Sequence, residues 1–218
     1  MQFRGNYLYT YYVIPEGLMD EILKTAPYRH PEFPVDPLFP NRWSPRAMSG
    51  AHVSREALMT LFEAARWAPS SYNNQPWRFV YALRGSDAWP RFHAMLTPTN
   101  KIWCANAGLL MVMASKHTFD HNGKPSITHS FDTGSAWMSL ALQASLLGLV
   151  AHGMEGFDYG AADEAVGLPD GYSVEAMCAI GHPGSPESLP EELRAVEKPN
   201  GRKAVAEVAF EGRFPADT

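Results

Sequence analysis

The sequence predicts a mixed fold, α/β or α+β. Segments with helical periodicity alternate along the chain with short apolar runs of strand length, and no stretch repeats. The length of 218 residues, with 45% hydrophobic and 19% charged, fits one large domain that needs no disulfide or metal to hold it. That balance excludes a mainly disordered chain.

The first 40 residues stand apart. Tyr7, Tyr9, Tyr11 and Tyr12 cluster, and Pro27, Pro31, Pro34, Pro37 and Pro40 punctuate a stretch of little periodicity. Proline fixes φ and restricts the residue before it, so residues 1–40 read as an extended arm, with a short helix at 17–25. So aromatic an arm should pack on its own body or on a second subunit. Residues 41–218 form the main domain. Ser54 suits an N-cap, and Ala57, Leu58, Leu61, Phe62 and Ala65 follow at helical spacing until Pro69 stops the run. Residues 77–84 alternate as a strand, with Trp77, Phe79, Tyr81 and Leu83 on one side. Residues 87–96 are a weaker helix. Leu109 to Ala114 is a strand apolar on both faces, and 117–130 a polar loop. Ala136, Leu140, Ala144 and Leu147 mark a long helix from Thr133, closed by Gly148. A helix at 161–166, a strand at 174–180, a helix at 190–197 and a terminal strand at 205–210 complete the chain.

Lys and Arg number 18 and Asp and Glu 23, a net charge of −5. A chain of that sign lacks the broad basic field of nucleic-acid binders, so any anion site must be local. Cys104 and Cys178 lie in apolar runs and read as buried thiols in a reducing compartment. The opening residues lack a charged segment followed by an apolar core, and 136–151 is too short and too polar to span a bilayer. The expectation is a cytoplasmic protein without membrane contact. His117 and His121 have chelating spacing only in a helix, and Asn122-Gly123 and Pro125 argue for loop, so no metal site is expected. Nucleotide-binding glycine fingerprints and a Gly-x-Ser-x-Gly elbow are absent.

Four segments look suited to binding. Arg42-Trp43-Ser44-Pro45-Arg46 offers two guanidiniums and a hydroxyl, which can fork onto a phosphate. Pro69, Ser70, Ser71, Asn73 and Gln75 lie in a loop dense in donors and acceptors, suited to a heterocycle or a polyol; a plain turn is the structural alternative. Gly153-Met154-Glu155-Gly156 lets backbone approach a flat ligand. Arg202-Lys203 is a late basic pair able to join a phosphate site.

In this order, and with Asn100-Lys101-x-Trp103 and Asp132-x-Gly134-x-Ala136 between them, the segments resemble the nitroreductase family of FMN-dependent oxidoreductases. The resemblance runs from about Asn41 to Phe210. It implies an α+β fold of three layers, α-β-α, with a mostly antiparallel central sheet flanked by helices, in a homodimer with FMN at the interface. Carried over, Arg42, Ser44, Arg46 and one of Arg202 or Lys203 bind the phosphate and ribityl chain, with Trp43 and Met154 beside the site. Pro69, Ser70, Ser71, Asn73 and Gln75 line the flavin from the partner subunit. Asn100 and Lys101 face the pyrimidine edge, and Glu155 and Gly156 present backbone near N5. No side chain is expected to be catalytic in itself, since the cofactor carries the reactivity.

The implied activity is ping-pong reduction of nitroaromatics, quinones or other electron-poor small molecules, with NAD(P)H as transient co-substrate. A flavin store or sensor without a reductase cycle is the alternative. A dehalogenating branch would need a charged lid, and 116–131 shows no amphipathic helix. Trp43 stands where many members have a basic residue, and Gly108 where many have proline. The long arm is expected to wrap the partner and partly replace the lid.

Overall fold

Trp77–Leu83 (β1), Leu109–Lys116 (β2), Val150–Met154 (β3) and Tyr172–Gly181 (β4) form one sheet in the computed structural model, which describes Thr25 and residues 27–215. The order is β1-β2-β4-β3, and every neighbouring pair is antiparallel. A register shift between Met113 and Ala114 interrupts the β2–β4 ladder.

The strand pattern explains the layers. Side chains alternate along a strand, so β2 sends Leu110 and Val112 to one face and Leu109, Met111 and Met113 to the other. β4 does the same with Met177 and Ala179 against Cys178 and Ile180. After the turn Leu38–Asn41 (α1), the helices Arg55–Arg66 (α2), Trp89–Ala94 (α3), Pro98–Cys104 (α4), His129–Leu146 (α5) and Tyr159–Val166 (α6) cover both faces. Phe92 of α3, Trp103 and Cys104 of α4 and Ala162 of α6 pack on the first face. Leu58, Leu61 and Ala65 of α2 and Ala136, Leu140 and Ala144 of α5 pack on the second. Each fully buried Leu contributes about 1.5–3 kcal/mol relative to exposure. The result is the expected three-layer α+β arrangement with a central antiparallel sheet.

Caps fix the helix ends. Ser54 Oγ accepts from Ala57 N–H, and Asp158 Oδ1 accepts from Ala161 N–H. Gly167 ends α6 with φ of 63°, a left-handed position that glycine adopts without steric cost. Among the described residues no helix is long and apolar enough to cross a membrane.

Several expectations need correction. Residues 205–210 form no strand; Val205–Glu207 is a single 3-10 turn, and the whole segment is exposed and pairs with no strand of the sheet. The 190–197 helix shrinks to one turn, Glu191–Arg194 (α7). α5 begins at His129, a turn before Thr133, which draws Asp132 into its first turn. α4 and β3 were not expected: proline opens α4 at its N1 position, and β3 carries His and Gly where apolar alternation would be. The helix at 17–25 falls outside the described residues except for Thr25, which is not helical. The described part of the arm rests on its own body: Thr25 Oγ1 donates to Asn41 Oδ1 at 2.7 Å, and Val205 N–H donates to Glu32 Oε2 at 3.2 Å.

Candidate functional site

The chain leaves α1 through Arg42 to Arg46 and then runs beside residues 182–184. Gly184 N–H donates to the Ala47 carbonyl, and Ser49 N–H to that of His182. This fixes the backbone of Arg-x-Ser-x-Arg. Arg42 Nη1 donates to Ser44 Oγ at 3.3 Å, so the guanidinium and the hydroxyl lie side by side. Arg202 reaches the same place from the other end of the chain, its Nη1 held by Asn200 Oδ1 at 3.0 Å and the Gly201 carbonyl at 2.8 Å. Burial, then the charge of Arg202, lowers the pKa of Arg42.

Arg29, which no motif singled out, joins them. It lies close enough to Arg202 and Arg42 for both to lower its own pKa, after burial. Among the described residues, none of Arg29, Arg42 and Arg202 forms an ion pair. Lys203 is exposed on the same groove as Arg29 and Arg202, a cavity of about 580 Å³.

Arg46 is differently placed. Glu197, its side chain almost wholly buried, accepts from the backbone N–H of Arg46 at 2.6 Å and of Ala47 at 2.8 Å. Its other oxygen lies 3.8 Å from Arg46 Nη1. Arg46 therefore already faces a carboxylate within its own chain. The buried indole N–H of Trp43 has no acceptor among the described residues.

β3 carries this corner to the Met-Glu-Gly segment. His152 Nδ1–H donates to the Pro45 carbonyl at 3.1 Å, and its ring meets Trp103 at 4.6 Å between centroids. Burial pushes the imidazole pKa down, with Arg46 and Arg42 adding to the effect against the Pro45 hydrogen bond. Met154 ends β3, buried against Cys104, and Glu155 and Gly156 follow. Asn100 Nδ2 donates to the Gly156 carbonyl at 2.9 Å and Asn100 Oδ1 accepts from Trp103 Nε1 at 3.0 Å. A Cβ on Gly156 would lie 2.5 Å from Asn100 Nδ2 and 3.1 Å from Thr97 Oγ1. The glycine is thus required first by its own chain. Lys101 lies one residue on in α4, half-buried.

Pro69, Ser70, Ser71, Asn73 and Gln75 lie elsewhere, before β1. Tyr72, Asn73 and Gln75 all have positive φ, 51°, 53° and 49°. That left-handed backbone costs roughly 1–2 kcal/mol per non-glycine residue, and a polar net holds it. Ser70 Oγ accepts from Gln75 N–H at 3.0 Å, Gln75 Nε2 donates to the Asn73 carbonyl, and Asp132 Oδ2 accepts from Ser71 N–H at 3.1 Å. Asn74 clamps the 118–120 loop through Thr118 O and Asp120 N–H. β1 and β3 are opposite edges of the sheet. Three inter-strand steps, roughly 14 Å, separate this loop's edge from that of Gly156. The predicted site residues therefore fall on two sides of the sheet: Arg42, Ser44 and Arg202, linked through Pro45, His152 and Trp103 to Asn100 and Gly156, on one, and the serine and asparagine loop on the other. Arg29, His152, Glu197 and Asn200 belong to the first side, and Asp132 to the second.

The nitroreductase family model matches residues 40–97. A crystal structure described as the oxidoreductase containing FMN is 50% identical with a TM-score of 0.83, the match covering 86% of this chain and 96% of that one. A crystal structure from Desulfovibrio desulfuricans, provisionally named a nitroreductase and solved in complex with FMN, is 24% identical with a TM-score of 0.65 over 84% of this chain and all of its own, and speaks to fold alone. A curated relative from Rhodopseudomonas palustris (strain TIE-1), provisionally named NADH dehydrogenase/NAD(P)H nitroreductase, is 29% identical over 184 residues, 75% of this chain and 92% of its own length. The fold, the motif order and the half-identical relative place this chain in the nitroreductase family.

Proposed function

We propose that this chain is an FMN-dependent oxidoreductase that works as a homodimer, taking electrons from NAD(P)H and giving them to nitroaromatics, quinones or other electron-poor small molecules in two separate half-reactions. The observation that carries the reading is the guanidinium cluster of Arg42 and Arg202 beside Ser44, without an ion pair among the described residues. Like charges gathered without a carboxylate partner favour an anion, and a phosphate monoester offers one that Arg binds in a fork. The buried Trp43 N–H gives the same corner a further unused donor.

FMN, when bound, supplies a ring that accepts an electron pair from one partner and releases it to the next. Arg42, Ser44 and one of Arg202 or Lys203 hold its phosphate, while Arg46 chiefly anchors Glu197. The backbone at Glu155 and Gly156 would lie near the ring, with Asn100 bracing it through the Gly156 carbonyl. Lys101 adds positive charge near the pyrimidine edge, where charge develops on reduction. NAD(P)H as donor is supported by the provisional name of the curated relative.

Two chains are needed because Ser70, Ser71 and Asn73 sit at the far edge of the sheet from Gly156. A second copy brings its loop to the first copy's phosphate corner. The surface fits this: on α5, Phe131, Met138 and Leu146 are exposed, with half-buried Leu142 continuing the stripe at helical spacing. Ile127 and Trp67 are exposed nearby in sequence to α5 and α2. An exposed apolar stripe along a helix is the kind of surface a second copy would cover.

The test is anaerobic. Purified protein should be yellow, bleach with NADH or NADPH, and recover with a quinone or nitroaromatic. Yellow protein that never bleaches favours a flavin store, and colourless protein that takes up no FMN refutes the reading.

A further inference from the structure

We propose that Arg29 is a positioning residue of the phosphate site, coupling the cofactor's phosphate to the closure of the N-terminal segment on the C-terminal one. This rests on the FMN reading above. The Arg29 side chain spans three parts of the chain. Nη1 donates to the Pro40 carbonyl at 2.9 Å and the Arg42 carbonyl at 2.6 Å. Nε donates to the Asn200 carbonyl at 3.0 Å, and Nη2 to Asn200 Oδ1 at 3.3 Å. Asn200 Oδ1 also holds Arg202. One guanidinium therefore sets the backbone of Arg42 and, through Asn200, the side chain of Arg202.

A purely structural staple between carbonyls does not need this geometry. Here partly buried Arg29 sits beside partly buried Arg42 and exposed Arg202, with no ion pair to any of the three among the described residues. Their mutual repulsion weakens this docking, and an anion between Arg42 and Arg202 relieves it. Phosphate binding and the docking of residues 29–42 against 200–202 are then one equilibrium, and each strengthens the other. Flavin without phosphate gains nothing from it.

The experiment titrates apo full-length protein with FMN and with riboflavin, followed by flavin fluorescence. Wild type is expected to prefer FMN. Arg29→Met should lose roughly tenfold in FMN affinity, the low end for one charged hydrogen-bonding partner, with riboflavin affinity unchanged. Arg29→Lys should recover part of the loss. Inorganic phosphate should raise the melting temperature of wild type more than that of Arg29→Met. Equal loss for both flavins in Arg29→Met would reduce Arg29 to a structural staple and overturn the inference. So would an unchanged FMN preference in Arg29→Met while Arg42→Ala loses it. If Arg29→Met does not fold, Asn200→Ala carries the test with the same expected split. A wild type without FMN preference overturns the phosphate reading itself.

Discussion

Arg42 is the residue on which the phosphate reading turns. Removing it takes away a charge-assisted bond worth about 1.5–3 kcal/mol, so Arg42→Ala should weaken FMN binding by roughly 10- to 150-fold. Arg46→Ala should cost FMN affinity much less, because its charge is engaged with Glu197, which two backbone N–H groups also serve. Titration of both variants decides between them; equal losses would return Arg46 to the phosphate. His152 adds a pH dependence. Its folded pKa lies below the ordinary value of 6.5, so stability is full above about pH 6.5 and falls below it, as the unfolded chain takes up a proton that the folded one resists. His152→Gln should lose this part of the acid limb in urea melts from pH 7.5 to 5; superimposable acid limbs would contradict it. Arg42 and Ser44 were legible because they lie two apart in one motif. Arg29, His152 and Glu197 were not, because their partners lie up to 171, 107 and 151 residues away and leave no local spacing.

Among the elements, the loop before β1 and the segment after β3 are the ones proposed to meet the flavin. Asp132 ties the loop's strained backbone to the first turn of α5 through Ser71 N–H, with Thr128 as a second donor to the same oxygen at 3.3 Å. Asp132→Ala leaves that amide without its acceptor, at a cost of about 1–3 kcal/mol, and should speed hydrogen exchange and proteolysis at 70–75. Unchanged protection there would show that the other clamps suffice. Gly156→Ala should act on the chain's own fold, displacing Asn100 and lowering the melting temperature of the apoprotein as well as flavin affinity. An apoprotein melting like wild type would mean that Asn100 yields cheaply. The strong periodicities of α2, α5 and β2 were readable because burial imposed them. β3 was not, since His152 and Gly153 stand where apolar alternation would be, His152 bonding the Pro45 carbonyl instead. The alternation at 205–210 misled because polarity alone does not supply a strand to pair with.

At the scale of the molecule, the three-layer fold was legible from interleaved periodicities together with the family resemblance. The two segments proposed to bind the flavin lie at opposite sheet edges, which is the ground for proposing a second copy. The most direct test is sedimentation of apo protein titrated with FMN, followed at flavin and protein wavelengths together. The account predicts flavin migrating only with a dimer, at one FMN per chain. Tight FMN binding to a stable monomer would contradict it.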